Sequence, residues 1–154
     1  MPVMGSGVCV AVEVVVVAPR PAVWTELARI EDHVEWMRDA VAIRFVGDDR
    51  QGIGTTFECD TRFGLIRLTD VMVITGWEHE SSMAVEHRGV VAGSGCFTLE
   101  DGPGMVTRVR WEERLRFPWW LGGTPGAWVA RPLLGALWRG NLRRLRARVE
   151  AAAV

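Results

Sequence analysis

Three side chains in this sequence combine acid/base chemistry with a place on an apolar face. His87 is in phase with Met83 and Val85, and Glu113 with Val109, Trp111 and Leu115. Asp70 is spaced by twos from Ile66, Leu68, Met72 and Ile74, although both faces of its stretch are partly apolar. Successive strand residues point to opposite faces, so a polar residue in phase with apolar ones is aimed at the interior. A carboxylate left unpaired in an apolar interior costs several kcal/mol. Glu113 must therefore find a partner, hold its proton with a raised pKa, or reach a wet rim through a β-bulge. Paired with His87 across a cavity, it would form an acid/base device suited to enolisation or aldol-type cyclisation. A bulge that shifts the register would instead leave any of the three at the mouth. Asn141 lies close to the apolar stripe of the last helix and is the fourth polar group aimed inward.

The elements that must position these groups are legible from periodicity. Residues 8–17 are dominated by Val, whose branched Cβ suits a pleated strand. Pro19 and Pro21 end that strand, and Val23, Leu27 and Ile30 then recur at helical spacing. Asp32 is placed to cap a second short helical piece holding Val34, Trp36 and Met37. Strands are expected at 40–46, 53–63, 65–75, 82–88, 92–100 and 105–117. Turn chemistry separates them at Gly47-Asp48-Asp49, Gly64, Gly76, Gly89 and Asp101-Gly102-Pro103-Gly104. A Pro/Gly/Trp-rich connector covers 118–127, and a helix over 128–150 carries the stripe Leu134, Trp138, Leu142, Leu145 and Val149. Pro132 should kink or restart this helix, since it removes one intrahelical bond and clashes with the preceding turn.

This order makes an α+β fold. Consecutive strands joined by short turns form an antiparallel meander. The long terminal helix is the only amphipathic element able to cover its apolar face. The chain of 154 residues suits one domain, 1–154, and is short for two.

Composition narrows the function classes. Residues 1–104 hold 16 acidic groups and 8 Arg, while 105–154 hold 3 acidic groups and 10 Arg. The basic third reads as a solvated face balanced by the rest rather than a nucleic-acid site, because no aromatic platform interleaves with it. Cys9, Cys59 and Cys96 are widely spaced with no C-x-x-C pair, which points to a reducing, cytoplasmic setting. The apolar run Val8–Ala18 carries Glu13 and lacks a basic flank, so neither a signal peptide nor a membrane-spanning segment is expected. His33 and His79 fall in polar, loop-like contexts without metal-ligand spacing. With no P-loop, no G-x-S-x-G and no Gly-rich phosphate loop, no metal and no cofactor are expected.

The segment Val17-Ala18-Pro19-Arg20-Pro21-Ala22-Val23-Trp24, followed by Trp36, resembles the opening of the START-related SRPBCC superfamily, nearest its polyketide cyclase/dehydrase-like branch. Gly54-Thr55, the strand Thr107-Arg108-Val109-Arg110-Trp111 and the helix ending Asn141-Leu142-Arg143-Arg144-Leu145 fit the same pattern. The resemblance runs over roughly residues 8–150. It implies a helix-grip fold, a curved sheet of about seven strands around a long C-terminal helix, with an apolar cavity between them. It also implies functions from lipid carriage to aromatase/cyclase chemistry, a spread that the fold alone does not resolve.

On that reading Phe57, Cys59, Met83, Val85, Phe97 and Trp111 are the expected ligand-facing residues of the strands. Trp36, Leu134, Trp138 and Asn141 are those of the helices. The same pattern would also serve a simply packed core. Three functions stay open. One is binding of a hydrophobic small molecule (lipid, isoprenoid or polyketide-like) in a cavity of roughly 300–1,000 Å³. The second is a cyclase, aromatase or dehydratase using Glu113 and His87. The third is a protein-interaction module using the Trp-rich connector and the basic helix. Trp119, Trp120 and Leu121 would form a lid over the pocket mouth or a surface that touches membrane or partner; their plainer reading is a plug tucked into the structure, and a homodimer is an open alternative to a monomer.

Overall fold

The computed structural model describes residues 7–153, so the expected domain 1–154 runs at both ends past the described residues. β1 (Val8–Val16) alternates buried and exposed at every position. Its valines at 8, 10, 12, 14 and 16 fill the inner face. α1 (Arg20–Leu27) follows with Pro21 in its first turn, where a missing N–H costs nothing. A 3-10 turn over Ile30–Asp32 leads into the single turn α2 (His33–Trp36). Asp32 makes no side-chain capping bond, contrary to expectation, because its backbone is already helical and continues the preceding turn.

The meander comprises β2 (Ala40–Val46), β3 (Thr56–Phe63), β4 (Ile66–Glu78), β5 (Ser82–Arg88), β6 (Ala92–Asp101) and β7 (Thr107–Arg116). All neighbours pair antiparallel in the order β1-β7-β6-β5-β4-β3-β2. Since β1 and β2 occupy opposite edges, the α1–α2 segment must carry the chain from one edge to the other, and it closes one end of the sheet. α3 (Gly123–Ala152) packs on the inner face, where Leu134, Trp138, Leu142, Leu145 and Val149 are all buried. Each such side chain contributes about 1.5–3 kcal/mol by leaving water.

Several boundaries differ from those read in the sequence. β3 begins at Thr56 rather than 53, because Gly52 and Gly54 adopt φ of 92° and 93° in a tight turn. Gly76 does not separate strands. It lies inside β4 at a register shift where its hydrogen faces the Cβ of Ala84. α3 starts at Gly123 and runs unbroken through Pro132. Pro132 sits on the exposed side, where the carbonyl it leaves without an intrahelical donor stays open to solvent.

The Trp-rich connector corrects a further expectation. Trp119–Leu121 forms a 3-10 turn, with Trp119 85% and Trp120 55% exposed, so this segment is no plug.

Candidate functional site

The apolar faces of sheet and helix do not close completely. Between them lies a cavity of about 130 Å³, smaller than the expected range. A void of this order holds a single aromatic ring. Ile30 and His33 line its closed end, beneath the α1–α2 segment. Half-buried Phe63 and Leu68 of the β3–β4 hairpin, Val91 of the β5–β6 turn and Phe117 line the opposite end. The registers Phe63↔Ile66, His87↔Gly93 and Ala92↔Arg116 bring those three segments to one rim.

One wall is aromatic. Phe97 and Trp111 lie 5.0 Å apart by ring centroid, and Trp111 and Trp138 5.1 Å, so a ladder of tilted rings passes from β6 through β7 to α3. Buried indoles need partners for their N–H groups, and carboxylates supply them for the two indoles of this ladder. Trp111 Nε1 donates to Glu113 Oε1 at 2.8 Å, and Trp138 Nε1 donates to Asp39 Oδ2 at 3.4 Å.

His87 and Glu113 come together as the strand phase requires. Glu113 is 4% exposed, and its Oε2 lies 2.8 Å from His87 Nε2. The two residues are on β5 and β7, with β6 between, so the carboxylate must cross over Gly95, its cross-strand partner. Burial on its own pushes the His87 imidazole pKa down. The hydrogen bond and charge of Glu113, with the charge of Asp70 added, outweigh that and hold it above the ordinary histidine value. Nδ1 of His87 has no hydrogen-bond partner among the described residues.

Asp70 also faces the cavity. Burial raises its pKa against the opposing Val90 N–H, which donates to Oδ1 at 2.9 Å. Gly89 makes this possible, since a Cβ there would lie 1.9 Å from Oδ1. Cys59 is on the wall with its thiol pushed up to about 11 by burial, so it is an inert apolar group rather than a nucleophile.

Phe57, Met83, Val85, Phe97, Trp111, Leu134 and Trp138 reach the cavity, as Cys59 does. Trp36 and Asn141 do not. Trp36 is fully buried behind the wall, its ring against His33, Phe97 and Trp111. Asn141 is a clamp: its Nδ2 donates to Asp39 Oδ1 at 2.7 Å, while its Oδ1 accepts from the Arg38 backbone at 3.1 Å and from Arg144. The helical stripe placed Asn141 inward, but its amide is consumed in docking α3 to the α2–β2 link.

Two ionisable cavity residues escaped sequence reasoning. Asp39 sits at a strand start where no alternation had yet begun. His33 is 5% exposed rather than loop-like, with Nε2 2.7 Å from the Leu27 carbonyl and its pKa lowered by burial. Among the described residues, no three His, Cys, Asp or Glu side chains converge as a metal cage, and no helix is long and apolar enough to cross a membrane.

No protein-family model matches the sequence, and no curated protein matches it. Solved structures do. The Zhui aromatase/cyclase from a Streptomyces species superposes with a TM-score of 0.77 at 15% identity, covering 96% of each chain. The chain has the helix-grip fold of that structure. StfQ, the di-domain aromatase/cyclase of the steffimycin biosynthetic pathway, matches 96% of this chain and 52% of its own, with a TM-score of 0.78 at 14% identity. A Thermus thermophilus protein matches with a TM-score of 0.75 at 18% identity, over 96% of this chain and all of that one. At these identities the likeness is one of helix-grip architecture, and site residues have to be argued from this chain alone.

Proposed function

We propose that this chain is a single ligand-binding domain that takes an apolar, ring-bearing small molecule, of lipid, isoprenoid or polyketide type, into the cavity under α3. The observation that carries this reading is the unfilled apolar space itself. It is bounded by the Phe97–Trp111–Trp138 ladder and has its polar groups confined to a few fixed positions. Burial of ligand surface supplies the driving force. Met37, Met72 and Met83 line the space, and their unbranched thioethers can re-pack around a ligand larger than one ring. Organic extraction of the purified protein followed by mass spectrometry tests the reading. A copurifying apolar compound at near-stoichiometric yield is expected. An empty extract together with no binding of ring compounds would remove it.

A second reading, favoured by the His87–Glu113 pair, is acid/base turnover of the bound molecule, as in a cyclase, aromatase or dehydratase. In this scheme neutral His87 takes a proton through Nδ1 from a carbon beside a ligand carbonyl. Glu113, at 2.8 Å from Nε2, stabilises the imidazolium that forms. The same ring then returns the proton, to the carbonyl-derived oxygen of an aldol or to a hydroxyl leaving as water. The aromatase/cyclase names of Zhui and StfQ support trying poly-β-ketone substrates first. His87→Ala should abolish turnover while ligand affinity is retained. A variant that turns over normally would leave only the binding role.

A further inference from the structure

The end of the sheet where the cavity opens carries an uncovered apolar rim. Leu65, at the tip of the β3–β4 hairpin, is 102% exposed, and its neighbour Ile66 is 48% exposed. Trp119 and Trp120, in the connector after β7, are exposed as well. Phe63 and Leu68 line one side of the cavity mouth and Phe117 the other, so hairpin and connector stand on opposite sides of the same opening. The β3–β4 hairpin projects further than its neighbours, because residues 66–70 of β4 extend past the start of its pairing with β5 at Val71.

Three exposed arginines stand at this end. Arg62 and Arg67 flank the hairpin tip, and Arg116 ends β7. All three are exposed, and none lies within ion-pair distance of a carboxylate among the described residues. By contrast, Arg44 in the middle of β2 is tied to both Glu58 and Asp60. Exposed Trp and Leu among unpaired guanidinium groups are the combination that seats a protein at the boundary between anionic headgroups and acyl chains.

We propose that this mouth docks on an anionic membrane surface. Leu65, Trp119 and Trp120 enter the interface and Arg62, Arg67 and Arg116 meet lipid phosphate. An apolar ligand then passes between bilayer and cavity without crossing water. That last step rests on the ligand-binding reading, whereas the docking does not.

Co-sedimentation with phosphatidylcholine vesicles, with and without phosphatidylglycerol, tests the docking. The wild-type chain is expected to pellet with the phosphatidylglycerol vesicles and to release as salt is raised. Trp119→Ala/Trp120→Ala should weaken binding at least tenfold. Arg62→Gln/Arg67→Gln/Arg116→Gln should cost roughly a hundredfold on anionic vesicles and remove the salt dependence. Leu65→Ser, at a fully exposed tip with no part in the core, should weaken binding without altering thermal unfolding. Val85→Phe, changed only in the cavity, should sediment as wild type does, so a failed ligand reading and a failed docking are told apart. Three results would overturn the proposal: a wild-type chain that stays in the supernatant, rim variants that bind as well as wild type, or a two-chain mass in solution that Trp119→Ala/Trp120→Ala reduces to one. The last would make the rim a contact between two copies.

Discussion

A side-chain carbon on Gly95 would lie 2.2 Å from Oε1 of Glu113, far inside van der Waals contact. Gly95 is the residue directly opposite Glu113 on β6 and the one over which the carboxylate must pass to reach His87 on β5. The catalytic-looking pair therefore depends on a residue that has no side chain at all.

Gly95→Ala is expected to push Glu113 off His87 and to cost about 1–3 kcal/mol in overpacking. The loss should be smaller when Glu113→Ala is added, because the clash is then gone, and this non-additivity identifies the contact. Denaturant unfolding of the two single variants and the double variant measures it. Strict additivity would show that Gly95 serves the strand and not the carboxylate.

The raised pKa of His87 gives the pair a signed pH dependence. The folded pKa lies above the ordinary 6.5, so the folded state binds more protons in the window between the two. Stabilisation from the pair is then fully present below 6.5 and is lost as pH rises through the folded value. In Glu113→Gln the charge is removed while the burial stays, so the imidazole pKa should fall below 6.5. Imidazole titration by NMR reads both values. If His87 acts as a base, turnover should rise as pH climbs through its folded pKa, opposite in direction to the stability.

Much of this arrangement was legible in the sequence because alternation is a geometric rule. Once β5 and β7 are strands, His87 and Glu113 must share the inner face, and the 2.8 Å contact follows from curvature and from Gly95. The failures have equally local causes. Helical phase and the family resemblance aim Asn141 and Trp36 inward, but neither distinguishes a wall from what stands behind it. Pro132 did not break α3, because a proline on the solvent side loses one bond that water can replace. Gly76 looked like a turn and is a bulge, since a glycine marks a close approach as readily as a reversal. The cavity size was beyond pattern reading altogether, being set by how far two packed faces stand apart.

Asn141→Ala should be costly although Asn141 touches no ligand space. The amide satisfies Asp39 Oδ1 at 2.7 Å and the Arg38 N–H at 3.1 Å, and the substitution leaves a buried carboxylate and a part-buried N–H short of a partner. A loss of about 2–4 kcal/mol is expected. Ligand affinity, measured under conditions where the variant is folded, should fall only as far as Trp138, which also donates to Asp39, is displaced. A neutral substitution would mean that water replaces the amide and that α3 is docked by its apolar stripe alone.

Filling the cavity separates ligand binding from fold stability. Val85 lines the space and is half-buried, so Val85→Phe adds a ring where there is room for about one ring and little else. The added ring occupies space that is already empty, and unfolding free energy should stay within about 1 kcal/mol of wild type or rise slightly. Affinity for a one-ring probe such as phenol, followed by calorimetry, should drop at least tenfold because probe and phenyl group compete for the same volume. Leu134→Ala works in the opposite direction. It enlarges the space from the α3 side at a cost of about 2–5 kcal/mol, and it should admit a larger probe. If Val85→Phe binds phenol as tightly as wild type, the ring is held somewhere other than the space under α3, and the assignment of that space to a ligand fails.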